Sequence, residues 1–370
     1  MTIQAGLVGL PNVGKSSLFN ALTKSSVPAE NYPFCTIDPH MAITHVPDKR
    51  LDMMQKIYGS KKQIPATVNF VDIAGLVKGA ASGQGLGNQF LGHIREVDLI
   101  LHVLRCFEDT NILHSGETID PLADYDIIMA ELMLKDLESV EKRLQKMEKL
   151  IKASSQKPAE KKELEAEESL LKSLIPALNN ADIKKVHTLM QQAPKNMIPL
   201  LAAKNFLIIA NVAESELEND AYKNNKHYQN VIGHFGIDRV IPVCAKVEYE
   251  LSQLSQEEAE EMMGLIGIKE RSLDRIIRES YHHLGLITFF TCGPQEAHAW
   301  PINKGITIRQ AAGEIHSDLE RGFICAEIFN CDDLIKAGSE AKLKETGKMR
   351  TEGQDYIVQD GDVVHIKFNV

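Results

Sequence analysis

Residues Gly9-Leu10-Pro11-Asn12-Val13-Gly14-Lys15-Ser16 fit the pattern G-x-x-x-x-G-K-[ST]. An apolar run, "AGLVGL", precedes them and a helical run from Ser17 to Leu22 follows, which is the setting a phosphate-binding P-loop needs. Glycines let backbone N–H groups curl around phosphate oxygens with no Cβ in the way. Lys15 offers a point charge to the β- and γ-phosphates, and Ser16 offers a hydroxyl to Mg2+. A second apolar run closes on Val71-Asp72-Ile73-Ala74-Gly75, a D-x-x-G element. Asp72 is expected to hold the magnesium through water, and the Gly75 N–H to sense the γ-phosphate. Thr36, in "NYPFCTIDP" between the two elements, is the candidate for a second hydroxyl on Mg2+, and Asp38 beside it reads as a lesser magnesium candidate or a turn residue.

The hydrolytic step lacks its usual helper. Ras-like switches place a water-orienting glutamine after D-x-x-G, and here that residue is Leu76, which cannot hydrogen-bond. Catalysis must borrow polar groups from elsewhere, or run slowly until a partner completes the site. Asn12 is one candidate, giving an oxygen to a monovalent cation such as K+ beside the phosphates; a loop-stiffening hydrogen bond is the alternative. His114, in "NILHSGE" after a buried strand, is the other, swinging an imidazole over the γ-phosphate. An ordinary surface histidine is the alternative.

Base selection rests on "IIANVAE", residues 208–214, where guanine-specific proteins carry Asn-Lys-x-Asp. Val212 replaces the lysine whose stem covers the base. Glu214 replaces the aspartate that accepts from guanine N1–H and N2–H2, and it is one methylene longer. Guanine loses its main source of discrimination. Adenine offers an N6 amino donor, which the Asn211 side-chain oxygen or the Val212 carbonyl could accept. "VCAK", residues 243–246, ends the next apolar run where a loop around the base is expected.

Those residues need a scaffold. Between residue 3 and about 125, short apolar runs alternate with helical patterns, the signature of a parallel sheet flanked by helices. From 126 to 200 the texture is helical, with a 3-4 seam of Ala130, Met133, Leu137, Val140, Leu144, Met147 and Ile151. A second seam, Leu164, Leu171, Leu174 and Leu178, follows a polar break, which predicts an antiparallel coiled-coil hairpin. Residues 135–162 hold nine Lys or Arg against five Asp or Glu, so this arm is locally basic. It reads either as a solvated face or as an arm for an RNA-rich partner. Alternation returns at "NFLIIANVAE" and "DRVIPVCAK", so the helical stretch interrupts one nucleotide domain, 1–125 with 201–283. A small α+β unit over 284–370 closes the chain, its last two alternating runs meeting at an Asp360-Gly361 turn.

The whole chain has 370 residues, a quarter of them charged, and a formal net charge of −10. No global basic field draws it to DNA or an anionic membrane. The six cysteines are scattered, without a C-x-x-C pair, which suits reduced thiols and a cytoplasmic setting better than disulfides or zinc. The expected class is therefore α/β: a P-loop NTPase with a helical insertion and a C-terminal α+β domain.

Taken together, "GLPNVGKSSLFNALT", "NYPFCTIDP", "VDIAGLVKGAASGQGLGNQFL", "IIANVAE", "ITFFTCGPQEAHAWPI", "AAGEIHSDLERGFICAE" and "EGQDYIVQDGDVVHIKFNV" resemble the Obg-like ATPase, or YchF, subfamily of P-loop proteins. The resemblance spans essentially the whole chain, arm included. It implies an Obg-type G domain, a coiled-coil insertion and a C-terminal TGS domain of β-grasp fold. ATP in preference to GTP, Mg2+ dependence and binding to the ribosome, chiefly its large subunit, are implied as well. Contact with ribosomal RNA would run through the arm or the TGS domain. By motif position the nucleotide contacts fall on Asn12, Val13, Gly14, Lys15, Ser16, Ser17, Asn211 and Val212, and magnesium on Ser16 and Thr36. Two other readings stay open: a GTPase of ribosome assembly, and a nucleotide-gated stress or redox regulator in which Cys35 couples oxidation to Thr36.

Overall fold

The computed structural model describes residues 4–26, 40–73, 86–109, 118–154, 157–194 and 197–369. Their chain contacts divide them into two compact units. One comprises residues 1–24, 39–41 and 70–272, and the other comprises 25–38, 42–69 and 273–370.

The first unit is built on strands whose residues are almost all apolar: β1 (Gln4–Val8), the end of β4 (Thr67–Asp72), β5 (Leu99–Arg105), β6 (Asn205–Asn211) and β7 (Val240–Val243). They lie in the order β4-β1-β5-β6-β7. The pairs β1–β5, β5–β6 and β6–β7 are parallel. Such strands are buried on both faces, which explains why β5 and β7 are buried along their whole length, β7 as an unbroken apolar run and β5 with His102 and Arg105 enclosed among apolar residues. Parallel order also sends every strand's carboxyl end to one edge, where open α/β sheets bind their ligands. Gly9, Asp72, Phe107, Asn211 and Cys244 all sit at or just beyond these ends.

The inserted arm is a hairpin of two helices, Pro121–Ala153 and Pro158–Asn179. The first begins within the stretch assigned to the nucleotide domain, because Asp120 caps it through the Leu122 and Ala123 N–H groups and Pro121 suits the first helical turn. Val140, Met147, Leu171, Leu174 and Leu178 are buried between the helices, while Leu137, Leu144 and Ile151 are half-buried. Ala130, expected in that seam, is exposed. The helix is still at its root there and buries a different stripe, Tyr125, Ile128, Met129 and Leu132. Tyr125 packs edge-on against His102 and Phe235, with Phe206 completing the cluster. Burial pushes the His102 imidazole down to about 3, so it stays neutral as a packing group.

Farther out, Glu167 accepts a fork from Arg143, with Nε at 2.7 Å and Nη2 at 2.8 Å. A planar bidentate pair of this kind fixes the stagger of one helix on the other. At the root, Asp136 accepts from the Leu201 and Ala202 N–H groups, both at 2.8 Å, where the chain re-enters the sheet. Among the described residues no helix is long and apolar enough to cross a membrane.

The second unit centres on a sheet ordered β11-β10-β12-β8-β9-β3. Its strands are β8 (Leu286–Cys292), β9 (Glu296–Asn303), β10 (Phe323–Asn330), β11 (Arg350–Glu352), β12 (Asp362–Phe368) and β3 (Lys62–Ile64). β8 and β9 form an antiparallel hairpin, and β12 joins β8 in parallel, the β-grasp arrangement. Phe289, Ile302, Ile308, Ala311, Ala326, Ile328 and Val364 form its core.

Two features depart from the sequence reading. The run before Asp360 is not a strand; Ile357 makes only an isolated bridge to Thr307. Asp360 is used otherwise, accepting from the Thr288 N–H at 2.8 Å and from Arg50 Nη1 at 2.6 Å. The second departure is the presence of residues 42–69 in this unit. This segment holds β2 (Met41–His45) from its second residue on, the first half of β4, the helix Lys49–Tyr58, and β3, which adds to β9 in parallel. Arg50 on that helix is gripped by Asp48 and Asp360 and lies over the Phe290 ring. Tyr58 donates to Glu340.

Asp136→Ala would leave two buried N–H groups unpaired and is expected to cost about 2–4 kcal/mol in urea unfolding of the full chain. Burial pushes the Asp136 carboxyl up to about 6 from an ordinary 3.8. The folded state therefore holds that proton more tightly than the unfolded chain. This contribution to stability is full below pH 4 and is lost as pH rises through 6. Asp136→Ala should remove that slope.

Candidate functional site

β1 ends at Val8, and the next six residues form a loop whose shape only certain residues accept. Asn12 and Gly14 have positive φ, 65° and 95°, and asparagine and glycine are the residues that enter this region most readily. Gly9 is confined as well: a Cβ there would lie 2.8 Å from the Val103 carbonyl oxygen. The helix Lys15–Lys24 follows at once, its first intrahelical bond running from Leu18 N–H to Gly14 O. Its opening turn thus points N–H groups and the positive end of the helix dipole into the loop, a ready anion site.

Lys15 is nearly buried, and its ammonium donates to Asp72 at the end of β4. A buried cation is tolerable only with such a partner. Ser16 is exposed beside it. Hydroxyl and carboxylate oxygens are the hard donors magnesium prefers, so Ser16 and Asp72 suit that ion as partial ligands completed by phosphate oxygens and water.

The other end of the site hangs on Asn211. Its Nδ2 donates to Val13 O at 2.8 Å, and its Oδ1 accepts from Ala245 N–H at 3.0 Å. One amide therefore ties the P-loop to the turn after β7. The adenine-accepting oxygen expected of Asn211 is engaged by Ala245, which makes this side chain a scaffold of the base loop. Val212 is buried and donates its N–H to Val243 O. Glu214 pairs with Lys246 at 2.7 Å, and both are substantially exposed.

These residues enclose a cavity of about 1100 Å³. Asn12, Gly14, Lys15, Ser16, Ser17, Asn211, Val212 and Glu214 all line it, while Val13 is buried behind it and Asp72 reaches the site through Lys15. Thr36, Gly75, Leu76 and His114 lie outside the described residues, as do Cys35 and Asp38. Sequence reasoning missed Phe107, Glu108 and Asp109, which form a further wall. Their only signal was Arg105, a charged residue closing an apolar run.

Known proteins resemble the chain along its full length. A family model described as 50S ribosome-binding GTPase matches residues 4–158, and the YchF-GTPase C-terminal family, described as a protein of unknown function, matches 286–369. The Ribosome-binding ATPase YchF of Bacillus subtilis is 45% identical, with all of both chains covered, and that of Escherichia coli O157:H7 is 44% identical with the same coverage. The solved structure of the Schizosaccharomyces pombe YchF GTPase is 35% identical, covers 99% of this chain and 98% of its own, and superposes with a TM-score of 0.81.

The chain belongs to the YchF family.

Family membership accounts for the fold, with a P-loop NTPase sheet, an inserted helical arm and a second sheet in one chain. It does not by name decide the base, since one set of YchF relatives is called ATPase and the fission-yeast protein GTPase.

The close approach of Asn211 gives a direct check on the site. A Cβ on Gly14 would fall 2.2 Å from Asn211 Nδ2, at a φ that L-residues avoid. Gly14→Ala is expected to break the Asn211 bridge and weaken nucleotide binding by about 100-fold or more, measured by calorimetry. Wild-type affinity in that variant would refute the bridge.

Proposed function

We propose that this YchF-family chain is a Mg2+-dependent ATPase that associates with the ribosome in the cytoplasm. The observation that carries the choice of base is the Glu214–Lys246 pair. In a guanine site the carboxylate at this position must face N1–H and N2–H2. Here it is already engaged by a lysine, and Val212 stands where the covering lysine stem would be. Adenine needs neither group. The acceptor for its N6 amino group is the backbone carbonyl of Val212 or the second lone pair of Asn211 Oδ1, whose first accepts from the Ala245 N–H.

In this reading the P-loop N–H groups from Asn12 to Ser17 and the helix N-terminus hold the phosphates, and Lys15 leaves Asp72 to neutralise the β- and γ-oxygens. Ser16, with Thr36 by resemblance, would ligate magnesium, and Asp72 would hold it through water. The ion, when bound, polarises the γ-phosphoryl group and offsets its developing charge. Asn12 stands exposed in its strained conformation, where its side-chain oxygen suits a K+ ion beside the phosphates. By motif position the Gly75 N–H would sense the γ-phosphate, and His114 would bring an imidazole over it.

Ribosome association follows the relatives' names, and the 50S description of the matching family model favours the large subunit. The arm supports an RNA contact. Lys146, Lys149 and Lys162 project from it with no ion-pair partner among the described residues, unlike Lys152 and Lys161. The C-terminal unit, read as a TGS domain, is the second candidate surface.

The GTPase reading, favoured by the name of the fission-yeast relative, is decided by side-by-side affinities. ATP should bind at least about tenfold more tightly than GTP, and the double change Val212→Lys with Glu214→Asp should narrow or invert that ratio. A wild-type preference for GTP would sink the ATPase reading. Lys15→Ala should cut turnover by about 100-fold or more, and wild-type turnover should be higher in KCl than in NaCl. Charge reversal at Lys146, Lys149 and Lys162 together should weaken co-sedimentation with 50S subunits about tenfold and flatten its salt dependence. An unchanged pellet would remove the arm from the interface.

A further inference from the structure

We propose that Arg105 is a positioning residue of the nucleotide site, setting nucleotide affinity through the wall Phe107–Asp109. The inference rests on the ATP reading above. Arg105 is the largest fully buried side chain among the described residues, only 1% exposed. A guanidinium cannot shed its charge at any ordinary pH, so burying one is tolerated only when its donors are matched. Here two of them are matched by the segment that follows. Nε donates to Phe107 O at 3.2 Å, and Nη2 donates to Asp109 O at 3.1 Å. The guanidinium carbon also lies over the Phe107 ring, 4.6 Å from its centroid.

The anchor beneath this fork is rigid. Arg105 is the last residue of β5 and pairs in register with Asn211. Cys106 donates its N–H to Asn211 O at 2.8 Å, and its carbonyl accepts from Asn225 Nδ2 at 2.7 Å. The chain therefore leaves the sheet pinned at Cys106 and curls around one planar cation through carbonyls at 107 and 109. Phe107, Glu108 and Asp109 line the same cavity as Asn211, Val212 and Lys246. With one face covered by the guanidinium, the Phe107 ring meets that cavity in a fixed pose.

The chemistry needed at this position is specific. Two carbonyl oxygens two residues apart must converge on one group, and a flat aromatic ring must lie against it. A planar fork does both, whereas an ammonium supplies one point and no plane. Arg105 does not itself line the cavity; it fixes the shape of residues that do.

The test uses the full chain, with ATP affinity by calorimetry and KM and kcat from steady-state turnover, for wild type, Arg105→Lys, Phe107→Ala and the double variant. Arg105→Lys should weaken ATP binding about tenfold, and the loss should fall on KM rather than kcat. In the Phe107→Ala background the same change should matter less, about threefold or below, because its target is gone. If Arg105→Lys melts earlier yet binds ATP within about twofold of wild type, Arg105 is a core residue only and the inference fails. Should Arg105→Lys not fold, Phe107→Ala, which leaves the guanidinium and both carbonyls in place, carries the test. An unchanged affinity there overturns the wall. Failure of the wild type to bind ATP would overturn the functional reading together with this inference, whereas wild-type binding with an unaltered Arg105→Lys overturns the inference alone.

Discussion

The site depends on one side-chain amide. Asn211 reaches from the end of β6 to Val13 in the P-loop and to Ala245 after β7, so the phosphate end and the base end are fastened to the same residue. A side-chain amide presents a donor and an acceptor on separate atoms in one plane, which suits a bridge between a carbonyl and an N–H. Its fit is tight enough to exclude a methyl group from Gly14. The geometry for curling around phosphate is thus enforced from outside the loop as well as by the backbone freedom within it. Because Asn211 is also paired in register with Arg105, the walls of the cavity share one anchor in the sheet.

The arm shows how a long helix can serve two masters. Over its first turns it is a packing helix, burying Tyr125, Ile128 and Leu132 with its sheet-side neighbours, and Asp136 closes that root on the returning chain. Beyond Met133 it becomes one strand of a narrow coiled coil, staggered by the Arg143–Glu167 fork. A rigid base and a polar shaft suit a lever or a reaching limb.

Much of this was legible in the sequence, for a physical reason. The P-loop, its strand and its helix are contiguous, so local spacing carries the whole element. The helix-flanked parallel sheet follows from alternating texture, and the arm from its two 3-4 seams. What escaped the sequence depends on partners far along the chain. The position of Asn211 was readable, but its role was not, because Val13 lies 198 residues away. Ala130 fits the heptad seam by spacing, yet the helix turns a different face inward at its root. Phe107 and Asp109 have no motif at all; the cation that shapes them hides inside an apolar run and resembles a mere irregularity of it. Asp360-Gly361 carried a turn signal that was real, but the aspartate serves Arg50 and Thr288 instead of closing a hairpin.

The segment 42–69 has a consequence for how this protein can be divided. The C-terminal sheet takes its edge strand, β3, and the Arg50 clamp on Asp360 from residues more than two hundred positions upstream. A fragment beginning near residue 284 would lack both, leaving β9 as a bare edge and Asp360 without its cation, an invitation to aggregate. The two units are interleaved along the chain. End-to-end joining of two finished modules would not by itself produce this weave.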